Sequence, residues 1–274
     1  MTGLDPPGNA SWSETPGGSF KPTGKDAARA MGAYLRMGSH SRRYLFARAR
    51  CAGRSVLDFG CGYGVGRLLL GDAVPNYTGV DLDPKAVDWA RANVEPVHPR
   101  STRFFSTTEF LPSKSLPEVA IAFEVIEHVR DPSKLMQTIL NSIRSDGVVI
   151  LSTPNGAFYN PEKKNPFHFR EYYWTEMDRL LRSSGLSVTY FKERRIDALD
   201  VVGRKLLGSR LMGGELGEGA SVLTRSDSLL GAIFNVYRNR LDGPGFWSVT
   251  PATRSTLSTP DYSTLLMVCE RAAP

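Results

Sequence analysis

Glu124, Glu127 and His128 form an E-x-x-E-H run, and His168 follows within N-P-F-H-F-R-E-Y-Y-W-T. On a helical turn, positions i, i+3 and i+4 share a face, so two carboxylates and an imidazole converge. With His168 beside them, the set can hold a divalent cation while leaving positions open for substrate oxygens, and either imidazole can take a proton. The plainer alternative is that Glu124 edges a ligand pocket while Glu127 and His128 open a helix, where acids are favoured.

A second chemical signal is V-L-D-F-G-C-G-Y-G over 56–64. An apolar run ends in Asp58, and Gly60, Gly62 and Gly64 follow. Glycines let a ligand approach the backbone closely. The spacing departs from the G-x-G-x-x-G of dinucleotide sites, and an acid at the strand end meets an ammonium group where it would repel a pyrophosphate. Asp81 ends the next apolar run, Y-T-G-V-D, where a carboxylate accepts ribose hydroxyls. A ligand with an amino-acid end and a ribose end is S-adenosyl-L-methionine.

These residues need a sheet edge to carry them. Short apolar runs at 55–59, 77–81, 103–107, 119–123, 148–152, 186–191 and 265–270 alternate with helical stretches. Asp83-Pro84 and Asp131-Pro132 each supply a cap and a first-turn proline, for helices through Val94 and Arg144. Thr175 is read as the cap of a further helix ending at Ser183-Ser184-Gly185, and a helical pattern from Asp26 to Cys51 breaks at Gly38-Ser39. The expectation is an α/β fold: a Rossmann-like, seven-stranded, mostly parallel sheet with helices on both faces. Residues 1–26, rich in Gly, Pro, Ser and Thr, read as a flexible arm, and 27–274 as one domain. A helical insertion over about 196–260 precedes the last strand, and is a packed amphipathic helix, a substrate lid or a homodimer contact.

The chain has 274 residues, 41% apolar and 23% charged, with a net charge of +6. That suffices for one sizeable core and argues against extended disorder or coiled coil. No apolar run is long enough to span a bilayer, and the first residues lack the pattern of a secretion signal. Three widely spaced cysteines, Cys51, Cys61 and Cys269, fit reduced thiols and a cytoplasmic location. The basic residues are scattered, which makes nucleic acid the lesser candidate partner.

In D-F-G-C-G-Y-G, Y-T-G-V-D-L-D-P, F-E-V-I-E-H-V-R-D-P and D-G-V-V-I-L-S-T-P-N, taken in that order, the chain resembles the class I S-adenosylmethionine-dependent methyltransferases. The resemblance implies that Gly60, Cys61, Gly62 and Gly64 line methionine and ribose. It puts Asp58 near the amino group, Asp81 on the ribose, Leu82 against adenine and Phe123 in the pocket. Many members carry an acid after the third strand; Ser106-Thr107-Thr108 stands there, which leaves adenine to Thr107 or to backbone. E-x-x-E-H is similar to the ubiquinone-pathway O-methyltransferases, which methylate a catechol, and to the small-RNA 3′-terminal 2′-O-methyltransferases. By that resemblance Glu124, Glu127, His128 and His168 hold Mg²⁺, and His128 or His168, with Glu127, carries the chemistry. The expected acceptor is a hydroxyl of a small sugar, polyol or phenol. An RNA 3′-terminal ribose is the alternative, and a non-catalytic binding protein on the same fold is the third reading. His40, Arg43 and Tyr44 are expected to serve helix packing or surface rather than ligand. Tyr172, Tyr173 and Trp174 are read either as an aromatic wall for a ring or as a core stripe.

Overall fold

The computed structural model describes residues 39–158, 165–195, 247–259 and 262–272. The expected arm and most of the expected insertion lie outside them. Eight strands form one sheet: β1 (Val56–Phe59), β2 (Tyr77–Asp81), β3 (Thr102–Ser106), β4 (Val119–Phe123), β5 (Val148–Pro154), β6 (Leu186–Arg195), β7 (Trp247–Pro251) and β8 (Thr264–Arg271). Their spatial order is β3-β2-β1-β4-β5-β8-β6-β7. The first five in that order pair in parallel. β8 runs antiparallel between β5 and β6, and β7 is antiparallel to β6.

The helices are α1 (Ser39–Cys51), α2 (Val65–Leu70), α3 (Pro84–Asn93), α4 (Pro132–Asn141), α5 (Trp174–Ser183) and the short α6 (Arg254–Leu257). β1, β4 and β5 are buried on both faces, as parallel strands between helical layers must be. Alternate residues feed two cores. Val56, Val119, Ile121 and Ile150 join Tyr44, Ala47 and Leu68 on one face. Leu57, Phe59, Ala120 and Leu151 join Leu135, Met136, Met177 and Leu181 on the other.

Asp83 and Asp131 cap α3 and α4 as expected, each accepting a backbone N–H at 3.0 Å. α5 begins earlier than Thr175. Tyr173 precedes its first turn, and the Glu176 carboxylate reaches back to the Tyr173 amide at 3.0 Å. An acid one turn in satisfied that amide without help from the Thr175 hydroxyl. The eighth strand, β7, falls inside the stretch expected to be helical. It adds an edge to the antiparallel end of the sheet.

The chain lays β2 and β3 to one side of β1, then returns to place β4 on the other. The carboxyl ends of β1 and β4 therefore flank a topological switch point, where an open α/β sheet leaves a crevice. Asp58 with its glycine loop lies on one side of it, and Phe123 with Glu124 on the other.

Candidate active site at the sheet switch point

Gly60, Gly62 and Gly64 all hold positive φ, at 72°, 51° and 76°, so the loop folds back over the end of β1 in a conformation that L side chains avoid. At Gly60 the space is also closed, since a Cβ would lie 2.5 Å from Val125 Cγ2. Asp81 locks this loop from the neighbouring strand. One of its oxygens accepts the Gly62 amide at 2.7 Å and the other the Asp83 amide at 2.9 Å. Its remaining lone pairs fit a ribose diol. Leu82, beside it, is exposed. Thr107 donates its amide to the Asp81 carbonyl at 3.0 Å, which closes that edge with backbone. The Ser106 and Thr108 hydroxyls pair with each other at 3.0 Å. Cys61 is buried, and its thiol donates to the Gly62 carbonyl at 3.7 Å within the loop.

Asp58 is fully buried. Its Oδ2 accepts the Tyr77 hydroxyl at 2.5 Å and the Tyr44 hydroxyl at 2.9 Å, while Oδ1 is enclosed without a hydrogen-bond partner. Burial pulls its pKa up to about 7, against the two tyrosine hydrogen bonds, which hold it down. The sequence placed this acid at the strand end but gave no sign of the tyrosine clasp, because Tyr44 and Tyr77 sit in separate elements.

α1 lies across this edge. His40, Arg43 and Tyr44 pack as expected, but Arg43 does more than fill space. Its Nε donates to Glu193 Oε2 at 2.6 Å, one terminal nitrogen donates to Thr264 Oγ1 at 3.0 Å, and the other lies 3.2 Å from Glu124 Oε1. One guanidinium thus joins β6, β8 and the end of β4. Glu124 also accepts the Ser152 hydroxyl on Oε1 at 2.8 Å. Among the described residues it is the one non-glycine with positive φ, at 56°.

The structure brings three of the four expected metal donors together. Glu127, His128 and His168 each offer an atom within 4.8 Å of the others'. Glu124 is turned to Arg43 and Ser152 instead. Glu127 is fully buried, with Oε2 accepting the Thr153 hydroxyl at 3.0 Å and Oε1 enclosed and unpaired. Burial first, then the nearby Glu124, pushes its pKa well above the carboxylate range. His128 Nδ1 lies 2.8 Å from the Phe167 carbonyl. His168 Nδ1 lies 2.6 Å from Glu171 Oε1 and its Nε2 lies 2.9 Å from the Asn165 amide nitrogen. The two imidazoles meet edge to face at 4.7 Å.

Mg²⁺ fits this set poorly. It demands an octahedron of oxygens. Two of the three donors here are imidazoles, and both nitrogens of His168 are committed within the chain. Of the two readings of the Tyr172-Tyr173-Trp174 run, the core stripe holds for its first and last residues. Tyr172 is in the core and Trp174 packs against that core, with its ring edge-on to Tyr190, whereas Phe167, Phe169 and Tyr173 are exposed.

A methyltransferase-domain family model matches residues 31–193. The chain belongs to the class I S-adenosylmethionine-dependent methyltransferase family. It is 36% identical over 142 residues to a probable S-adenosylmethionine-dependent methyltransferase of Mycolicibacterium smegmatis, covering 51% of this chain and 54% of that one. It is 31% identical over 109 residues to a ubiquinone biosynthesis O-methyltransferase of Actinobacillus pleuropneumoniae, covering 38% and 47%. The chain thus spans about half the length of the curated relatives it matches. By fold it resembles the YcgJ protein of Bacillus subtilis, with a TM-score of 0.54 and 16% identity over 85% of this chain and 99% of that one. It also resembles the [4+2]-cyclase SpnF, with a TM-score of 0.51 and 14% identity over 97% and 88%. These likenesses show the fold alone, and a fold does not dictate a reaction. Among the described residues, no helix is long and apolar enough to cross a membrane.

Proposed function

We propose that this methyltransferase moves the methyl group of S-adenosyl-L-methionine to the hydroxyl of a small phenolic acceptor, with His128 as the general base and without a metal. The observation that carries the reading is the hydrogen bond from His128 to the Phe167 carbonyl. A carbonyl oxygen only accepts, so His128 Nδ1 bears the proton and Nε2 carries the lone pair. That nitrogen has no partner among the described residues. Burial lowers the His128 pKa, which keeps the ring neutral near pH 7. His168, held at both nitrogens, supports the His128 ring.

The donor supplies an electrophilic methyl carbon on a sulfonium. The glycine loop from Gly60 to Gly64, Asp81, Leu82, Thr107 and Phe123 are the residues that would hold it. Burial raises the pKa of Glu127, and the Thr153 hydroxyl donates to its Oε2. What remains for the chain is to place the acceptor oxygen in line and remove its proton.

Base strength favours a phenol over a sugar. A neutral imidazole of lowered pKa draws a proton readily from a phenol, whose pKa is about 10, and poorly from an alcohol nearer to water's ~15.7. The exposed Phe167 and Phe169 rings flank His168 in sequence and supply an apolar face. Their backbones are tied to His128 and Glu127 by hydrogen bonds.

The test is transfer from methyl-labelled donor to catechols, methyl glycosides and short RNAs, each with and without exhaustive chelation. Product with a catechol, at an unchanged rate after chelation, is the expected result. Transfer only to glycosides or RNA, or loss of rate on chelation with recovery on added metal, overturns it.

A further inference from the structure

We infer that Glu124, rather than the strand-end Asp58, receives the ammonium group of the donor, and that Arg43 is the positioning residue that presents it. The inference rests on the donor assignment above. Asp58 is sealed: two tyrosine hydroxyls occupy Oδ2 and protein encloses Oδ1. An ammonium cannot reach it without displacing Tyr44 and the helix that carries it. Asp81 has both oxygens on backbone amides and lies at the ribose end. Glu127 is enclosed as well.

Glu124 differs from all three. Both of its contacts fall on Oε1, from Ser152 and from Arg43, so Oε2 has no partner among the described residues. Its side chain is 18% exposed, against 3% for Arg43 and 0% for Glu193. It therefore opens to the crevice from an otherwise sealed ion network. In formal charge, and among the described residues, Arg43 lies between two carboxylates, Glu193 and Glu124, which together carry one more charge than it does. A ligand ammonium on Oε2 supplies the missing cation. The arrangement also accounts for a buried arginine that gains little stability by itself, since desolvation offsets most of the attraction in a buried pair. Its planar fork fixes three partners on three strands at once, which a lysine cannot do.

The experiment is isothermal titration of the full chain with S-adenosylhomocysteine and with its desamino analogue, which keeps the carboxylate but lacks the ammonium. The wild type should bind the first more tightly. Glu124→Gln should weaken S-adenosylhomocysteine roughly 10- to 100-fold, the range expected for one lost charge-assisted contact, and leave the analogue unchanged. Glu124→Asp, which keeps the charge but withdraws it, should fall between. If Glu124→Gln does not fold, the Asp variant and the two ligands on wild type still decide. Equal affinity of the wild type for both ligands, or equal losses for both in the variants, overturns the inference and leaves the donor assignment standing. No binding of either ligand to the folded wild type overturns both.

Discussion

The Tyr44 hydroxyl of α1 donates to the Asp58 carboxylate of β1 at 2.9 Å, across a glycine with no room for a side chain. A Cβ at Gly66 would sit 2.6 Å from Asp58 Oδ2 and closer still to the Tyr44 ring. The helix that opens the described chain is thereby fastened to the acid that opens the glycine loop.

Gly66→Ala should therefore damage the fold and the cleft together. Overpacking of a closed site costs about 1–3 kcal/mol. Urea denaturation should show a loss in that range, and S-adenosylhomocysteine should bind more weakly to the variant that remains folded. Unchanged stability would mean that α1 moves freely from Asp58.

The raised pKa of Asp58 gives the protein a pH signature. The folded carboxyl titrates near 7 and the unfolded one near 3.8. Between these values the folded state binds more protons, so this group's contribution to stability falls as pH rises from about 4 to 7 and is flat above. His40, lowered by burial to about 4, and His128, also lowered, act oppositely, losing stability as pH falls below 6.5. The clean quantity is the difference between wild type and Asp58→Asn. That difference should shift in favour of the variant as pH rises from 4 to 7; a pH-independent difference would refute the burial account.

Glu127 is held by one hydroxyl. Thr153→Val removes it and leaves a second buried oxygen unpaired, at a cost of about 1–3 kcal/mol. Thermal denaturation of the variant should show the loss, and the loss should shrink when Glu127→Gln is added, since the two changes act on one contact.

His128→Asn should lower the rate of methyl transfer by roughly 10²- to 10⁴-fold, the usual contribution of a general base. Donor affinity should stay near wild type, because the imidazole acts on the acceptor. The wild-type rate should fall on the acid side at a pH below 6.5, as the lowered His128 pKa requires. His168→Asn should cost less, since that ring acts through its neighbour. Equal losses in the two variants would move the base from His128.

Much of the loop and cap structure at the ends of β1 and β2 was legible in the sequence because it is local. The glycine loop, Asp81 and the caps at Asp83 and Asp131 each depend on a few consecutive residues. The E-x-x-E-H run was legible as a motif but not as a geometry. A positive φ at Glu124 and the three-way grip of Arg43 turned one acid away from the other two, and neither follows from spacing. Arg43 and Glu193 are 150 positions apart, so their pairing is a product of packing. β7 was missed for a related reason. Trp247–Pro251 is a short edge strand with a proline at its end, and it is stabilised by its pairing with β6 rather than by its own pattern.

The crevice between β1 and β4 is proposed to take a sulfonium nucleoside. The deciding measurement is calorimetric titration of the full chain with S-adenosyl-L-methionine, beside an identical titration with a nicotinamide dinucleotide. Saturable one-to-one binding of the sulfonium in the micromolar range, and none of the dinucleotide, is the expected result. Binding of the dinucleotide in its place, or heat from neither, would contradict it.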